Sequence, residues 1–89
     1  MDKQQELETL LVFLGKAVSM LRQEQGLSQE QVSSTCGIHR TYLSDIENGK
    51  RNISIGAFIF LARGLGIAPL ELLRRAEELA NKQDTSGQE

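Results

Sequence analysis

At 89 residues the chain has room for one hydrophobic core and no second domain. Hydrophobic residues make up 39%, but only four are aromatic while nineteen are Leu or Ile, a balance that favours helices packed on helices over a β-sandwich. The formal net charge of −2 excludes a uniformly basic surface, so any nucleic-acid partner would have to meet a local patch.

Read in chain order, the sequence predicts five helices and no strand. Leu7, Leu10, Leu11, Leu14, Val18 and Leu21 fall on one helical stripe and define the first. Gly15 interrupts that stripe at some cost in helix propensity, which suggests another backbone passing close by. Gly26 stops this helix. Ser28, with Gln31 three residues later, reads as a capping box for a second, short helix from about Gln29 to Cys36, broken by Gly37. Ile38 follows as an apolar plug, and a third helix is expected from about Arg40 to Asn48, with Gly49 in the left-handed position beyond it. Ser54 can cap a fourth helix carrying Ile55, Phe58, Ile59, Leu61 and Leu65 and stopped by Gly66. Pro69 opens a fifth, through Leu70, Leu72, Leu73, Ala76 and Leu79. Residues 82–89 carry no apolar anchor and are expected to be a disordered tail, leaving 1–81 as a single domain.

Charge is distributed unevenly. Residues 36–63 hold Arg40, Lys50, Arg51 and Arg63 against Asp45 and Glu47, a local +2; the remainder holds six basic and ten acidic residues, a local −4. On the third helix, Leu43 and Ile46 share one side, while Thr41, Ser44, Asp45 and Asn48 fall opposite, flanked by Arg40 and Tyr42. A helix anchored on one face and hydrogen-bonding on the other fits a DNA major groove. Arg grips guanine O6 and N7 with two bonds, Thr meets a thymine methyl, and a carboxylate accepts from cytosine N4. Arg40, Thr41, Ser44 and Asp45 are therefore the candidate base readers. Gln29, Tyr42, Lys50, Arg51 and Asn52 are placed to touch phosphates, which sets register without reading sequence.

The stretch LSQEQVSSTCGIHRTYLSDIENG, Leu27 to Gly49, resembles the helix-turn-helix of the Xre family of lambda-type repressors and Cro proteins. The likeness extends over roughly residues 10 to 75, through LGKAVSMLRQEQG before it and KRNISIGAFIFLARGLGIAPLELL after it. Within the family, RTYLSDIE followed by Arg51 and Asn52 looks most like the controller proteins of restriction–modification systems. The resemblance implies an all-α, compact five-helix, lambda-repressor-like DNA-binding domain with its helix-turn-helix at helices two and three. It also implies that Gln29 contacts phosphate and braces the recognition helix, and that Arg22 and Glu47 form a partly buried ion pair joining helices one and three. His39 departs from the family's usual Ser, Thr or Asp cap; it either caps the third helix or meets phosphate. Ser33 and Ala68 are further departures.

Plainer readings stand beside these. Arg40, Thr41 and Ser44 can be an ordinary solvated face, and Lys50 and Arg51 mere turn solubility. Cys36, the one cysteine, cannot form an internal disulfide and is read as a small core hydrophobe rather than a redox sensor. Phe58, Phe60 and Leu70 are either core or a dimer interface. No phosphate loop, Cys/His ligand cluster or Ser–His–acid set appears, so neither an enzyme, a cofactor nor a metal is expected. The acidic N-terminus is unlike a secretory leader, and the run from Ile55 to Ala62 is far too short to span a bilayer. The expectation is a cytoplasmic transcriptional regulator binding a near-palindromic operator as a homodimer, with RNA polymerase as a further partner and no membrane. The alternative on the same fold is an antitoxin that binds a toxin and represses its own operon.

Overall fold

Each helix begins and ends where a local signal demands it. The computed structural model describes residues 2–87, with side chains through Lys82; of the expected tail over 82–89, the backbone through Gly87 continues α5, and the side chains beyond Lys82 lie outside the described residues. Helix α1, Lys3–Glu24, starts at a reciprocal capping box that the sequence reading missed: Asp2 accepts from the Gln5 amide at 2.8 Å, and the Gln5 side chain accepts from the Asp2 amide. Helix α2, Gln29–Cys36, starts at the expected box, with Ser28 Oγ accepting from Gln31 N at 3.0 Å and Gln31 Oε1 accepting from Ser28 N at 2.8 Å. Gly37 ends it at φ 71, a left-handed conformation that lets the chain reverse into α3, Arg40–Glu47. The C-cap of α3 is Asn48, and α4, Ile55–Gly64, begins where Ser54 accepts from Ala57 N. Helix α5, Pro69–Gly87, completes the domain.

Helix α1 packs against α5 along one flank and against α3 on the other, while α2 bridges α3 and α4. Leu14, Val18, Val32, Leu43, Ile46, Leu61, Leu72 and Ala76 form the centre of one continuous core to which every helix contributes. Cys36 is part of it, its Sγ against the Leu61 carbonyl, and burial pushes its thiol pKa up. Phe58 is 8% exposed and belongs to this core, which removes it from the expected dimer interface. Phe60 and Leu70, by contrast, stand on the surface at 60% and 77% exposure.

The close approach suggested by Gly15 is real. A Cβ placed there would collide with the carbonyl oxygens of Ile46 and Glu47, the latter at 2.7 Å. The backbone of α1 therefore lies directly on the last turn of α3. This contact, with buried Leu43 and Ile46, fixes the pitch at which α3 leaves the molecule.

Candidate nucleic-acid interface

Helix α3 has one face sunk in the core and the other free. Leu43 is 0% and Ile46 2% exposed, whereas Arg40, Thr41 and Asn48 are exposed and Ser44 and Asp45 half-buried. The expected base readers thus share the outward side of a helix whose inward side is pinned. At its N-terminus His39 takes the cap position in extended conformation but makes no capping side-chain bond, so the capping role is not the one it plays. Its exposed imidazole is left available to phosphate.

A polar clamp holds α3 from behind. Arg22 Nε donates to Glu47 Oε2 at 2.7 Å, Arg22 Nη2 to Glu47 Oε1 at 3.1 Å, and Arg22 Nη1 to the Leu27 carbonyl at 2.8 Å. The side chains of this pair are only 14% and 7% exposed, and the carboxylate raises the Arg22 pKa by hydrogen bonding above all. Gln29 Nε2 is the third donor to this carboxylate, reaching Glu47 Oε1 at 3.0 Å and tying α2 to it. One amide hydrogen of Gln29 remains for a phosphate, so bracing and backbone contact are compatible.

The corner after α3 is organised differently from the expectation. Lys50 and Asn52 are exposed. Arg51 does not project freely: its Nη2 donates to Asp45 Oδ2 at 3.1 Å, and its guanidinium carbon lies 4.9 Å from the centroid of the Tyr42 ring. Tyr42 is fixed in turn, its hydroxyl accepting from the Ser54 amide at 3.3 Å and keeping its own proton to donate. The sequence reading assigned Asp45 and Arg51 to bases and phosphates separately and missed that they hold each other. A spacing of six across the end of a helix gives no periodic signal for such a pair.

Among the described residues, no three His, Cys, Asp or Glu side chains gather to hold a metal, and no single helix is long and apolar enough to cross a membrane. An open groove of about 880 Å³ lies between α1 and α5, lined by Met20, Leu79 and charged side chains, with no α3 residue in its lining.

Comparisons with known proteins agree with this geometry. A family model described as Helix-turn-helix matches residues 18–72. The control protein C.BamHI of Bacillus amyloliquefaciens is 38% identical over 63 residues, 70% of this chain and 78% of that protein. The crystal structure of the restriction–modification controller protein C.AhdI from Aeromonas hydrophila is 40% identical, with a TM-score of 0.68 over 70% of this chain and 94% of that one. A second controller protein, C.Esp1396I, solved as a tetramer in complex with its natural 35 base-pair operator, is 25% identical, with a TM-score of 0.73 over 80% and 93% of the two chains.

Proposed function

The chain belongs to the helix-turn-helix family, and on that premise we propose that it is a sequence-specific transcriptional regulator of the restriction–modification controller type, binding a near-palindromic operator as a homodimer. It is a binding protein and not an enzyme. The observation that carries the reading is the two-sidedness of α3, with Leu43 and Ile46 buried and Arg40 and Thr41 exposed on a helix clamped by Arg22, Gln29 and Glu47.

Rigid mounting is what gives such a face its specificity. A bidentate Arg–guanine contact is worth about 1–3 kcal/mol of discrimination, and it is lost if the helix can roll away from the mismatch. In this reading Arg40, Thr41 and Ser44 meet base edges, while Gln29, His39, Tyr42, Lys50 and Asn52 meet phosphates. Arg51 reaches a phosphate only after parting from Asp45. The net −2 charge is tolerated because residues 36–63, which include α3, carry a local +2 while the remainder of the chain carries −4.

Dimerisation supplies the second half of the contact. Two α3 helices set about 34–36 Å apart occupy successive major grooves on one side of a duplex. Surface-exposed Phe60 and Leu70, together with Ile55 at 74% exposure, are the apolar side chains of α4 and α5 that pairing would cover. Exposed carboxylates such as Glu8 on α1 and Glu78 on α5 are then candidate contacts for RNA polymerase, and the setting for this work is the cytoplasm. The relatives lend no support to the antitoxin alternative.

Selection of bound sequences from random duplex DNA tests the proposal. Two related half-sites at a fixed spacing of about one helical turn are expected. Recovery of unrelated sequences would contradict it.

A further inference from the structure

Asp45 is an odd residue to place on the outward face of a recognition helix. A bare carboxylate there repels phosphates and weakens every complex. It is not bare, because Arg51 neutralises it, and Tyr42 holds the guanidinium against the helix. The pair is also poised to break. Its side chains are 47% and 33% exposed, so the bond is weak and gives way to a better partner such as a phosphate, which an Arg can grip with two bonds.

We propose that Asp45 is a specificity-determining residue that works through Arg51: it withholds that guanidinium from the DNA backbone unless the base opposite Asp45 offers an amino group. The inference rests on the DNA-binding reading above. When Arg51 leaves for a phosphate, the Asp45 carboxylate loses its partner. Opposite cytosine N4 or adenine N6 it finds a replacement donor, and the exchange is balanced. Opposite guanine O6 or thymine O4 it meets only acceptors, so Arg51 stays where it is and the complex has one phosphate contact fewer. A sequence-blind contact thereby becomes conditional on base identity. Arg40, Thr41 and Ser44 take no part in the exchange, as none of them bonds to Asp45 or Arg51.

The experiment measures affinity against salt for the duplex recovered by selection and for a shuffled duplex of the same composition. Wild type, Asp45→Ala, Arg51→Ala and the double variant are compared, with thermal unfolding run in parallel. In Asp45→Ala, Arg51 is freed on every sequence. Binding to the shuffled duplex should tighten, and its slope of log K against log salt should steepen by about 0.9 for each protomer, about 1.8 for the dimer, an extra loss of about 12-fold between 0.05 and 0.2 M salt. Reselection with this variant should lose the preference for an amino-bearing base at one position per half-site. In the Arg51→Ala background the same substitution should leave the shuffled-duplex slope unchanged. An equal gain with and without Arg51 would show simple charge repulsion and overturn the proposal, as would no gain at all. If wild type binds neither duplex, the DNA-binding reading itself falls, a result distinct from either.

Discussion

Gly15→Ala is a one-carbon change that touches no DNA-facing group, yet it should both unfold the domain more easily and weaken DNA binding. Alanine inside a helix is favoured over glycine by about 0.8–1.0 kcal/mol. Against that, the new methyl would overlap the Ile46 carbonyl and lie 2.7 Å from that of Glu47. Both obstacles are backbone atoms with no rotamer to swing aside, so relief requires α3 to move bodily. Overpacking of a tight site costs about 1–3 kcal/mol, and a backbone obstacle argues for the upper end. The net destabilisation is about 2 kcal/mol, or roughly 8–16 °C in Tm for a domain of this size. Urea and thermal unfolding followed by circular dichroism measure it. Gly56→Ala is the internal comparison: a Cβ on that α4 residue meets nothing within 4 Å, so the change should be neutral or raise stability by about 0.5–1 kcal/mol. Operator affinity well below the unfolding range should fall for Gly15→Ala alone, because the shifted helix is the one that meets bases. Equal stability of Gly15→Ala and wild type would refute the claim that α1 seats the end of α3.

Three further outcomes follow from the packing. Glu47→Ala strands the Arg22 guanidinium and one Gln29 donor in a largely buried place and should cost about 3 kcal/mol in urea unfolding. Glu47→Gln, which keeps an acceptor but not the charge, should cost less, and a Glu47→Ala variant as stable as wild type would argue against the carboxylate as the common anchor. The Cys36 thiol, pushed above its ordinary value of 9.0 by burial, stays protonated in the fold but ionises in the unfolded chain. Its contribution to stability is therefore complete below pH 9 and lost as pH rises through the folded pKa; Cys36→Ala should flatten that alkaline fall, as read from unfolding midpoints. Ile55→Lys and Leu70→Lys alter side chains that are 74% and 77% exposed in the single chain. Each should leave the monomer folded while raising the dimer dissociation constant at least about tenfold in sedimentation, roughly 1.4 kcal/mol. Unchanged association would place the interface elsewhere.

Signals that act over a few residues were readable from the sequence, and those that depend on how helices meet were not. The Ser28–Gln31 box, the break at Gly37 and the opening at Pro69 are each decided by a handful of neighbouring atoms, and the structure has them where the residues said. Leu43 and Ile46 gave the buried side of α3 because the helix has a polar side for contrast. Helix α4 offers no such contrast. Ile55, Phe58, Ile59, Phe60 and Leu61 are apolar nearly all round, so periodicity could not separate buried Phe58 from exposed Ile55 and Phe60. The Arg22–Glu47 pair was legible only through family resemblance, since its partners lie twenty-five residues apart. That Gln29 braces α3 was implied by the same resemblance, though not that it does so through Glu47; the hold of Asp45 on Arg51 was legible in neither way, because it depends on side-chain reach past the end of a helix.

The measurement that goes most directly to the role of α3 is a comparison of the sequences selected by wild type and by Arg40→Ala. Arg40 is exposed at the first turn of the helix and has no structural bond to lose, so the variant should fold as wild type does. The account predicts that base preference relaxes at one position in each half-site, symmetrically, by about 1–3 kcal/mol, while preferences elsewhere persist. An unchanged selected sequence with unchanged affinity would contradict it, and the outward face of α3 would then not be where the bases are read.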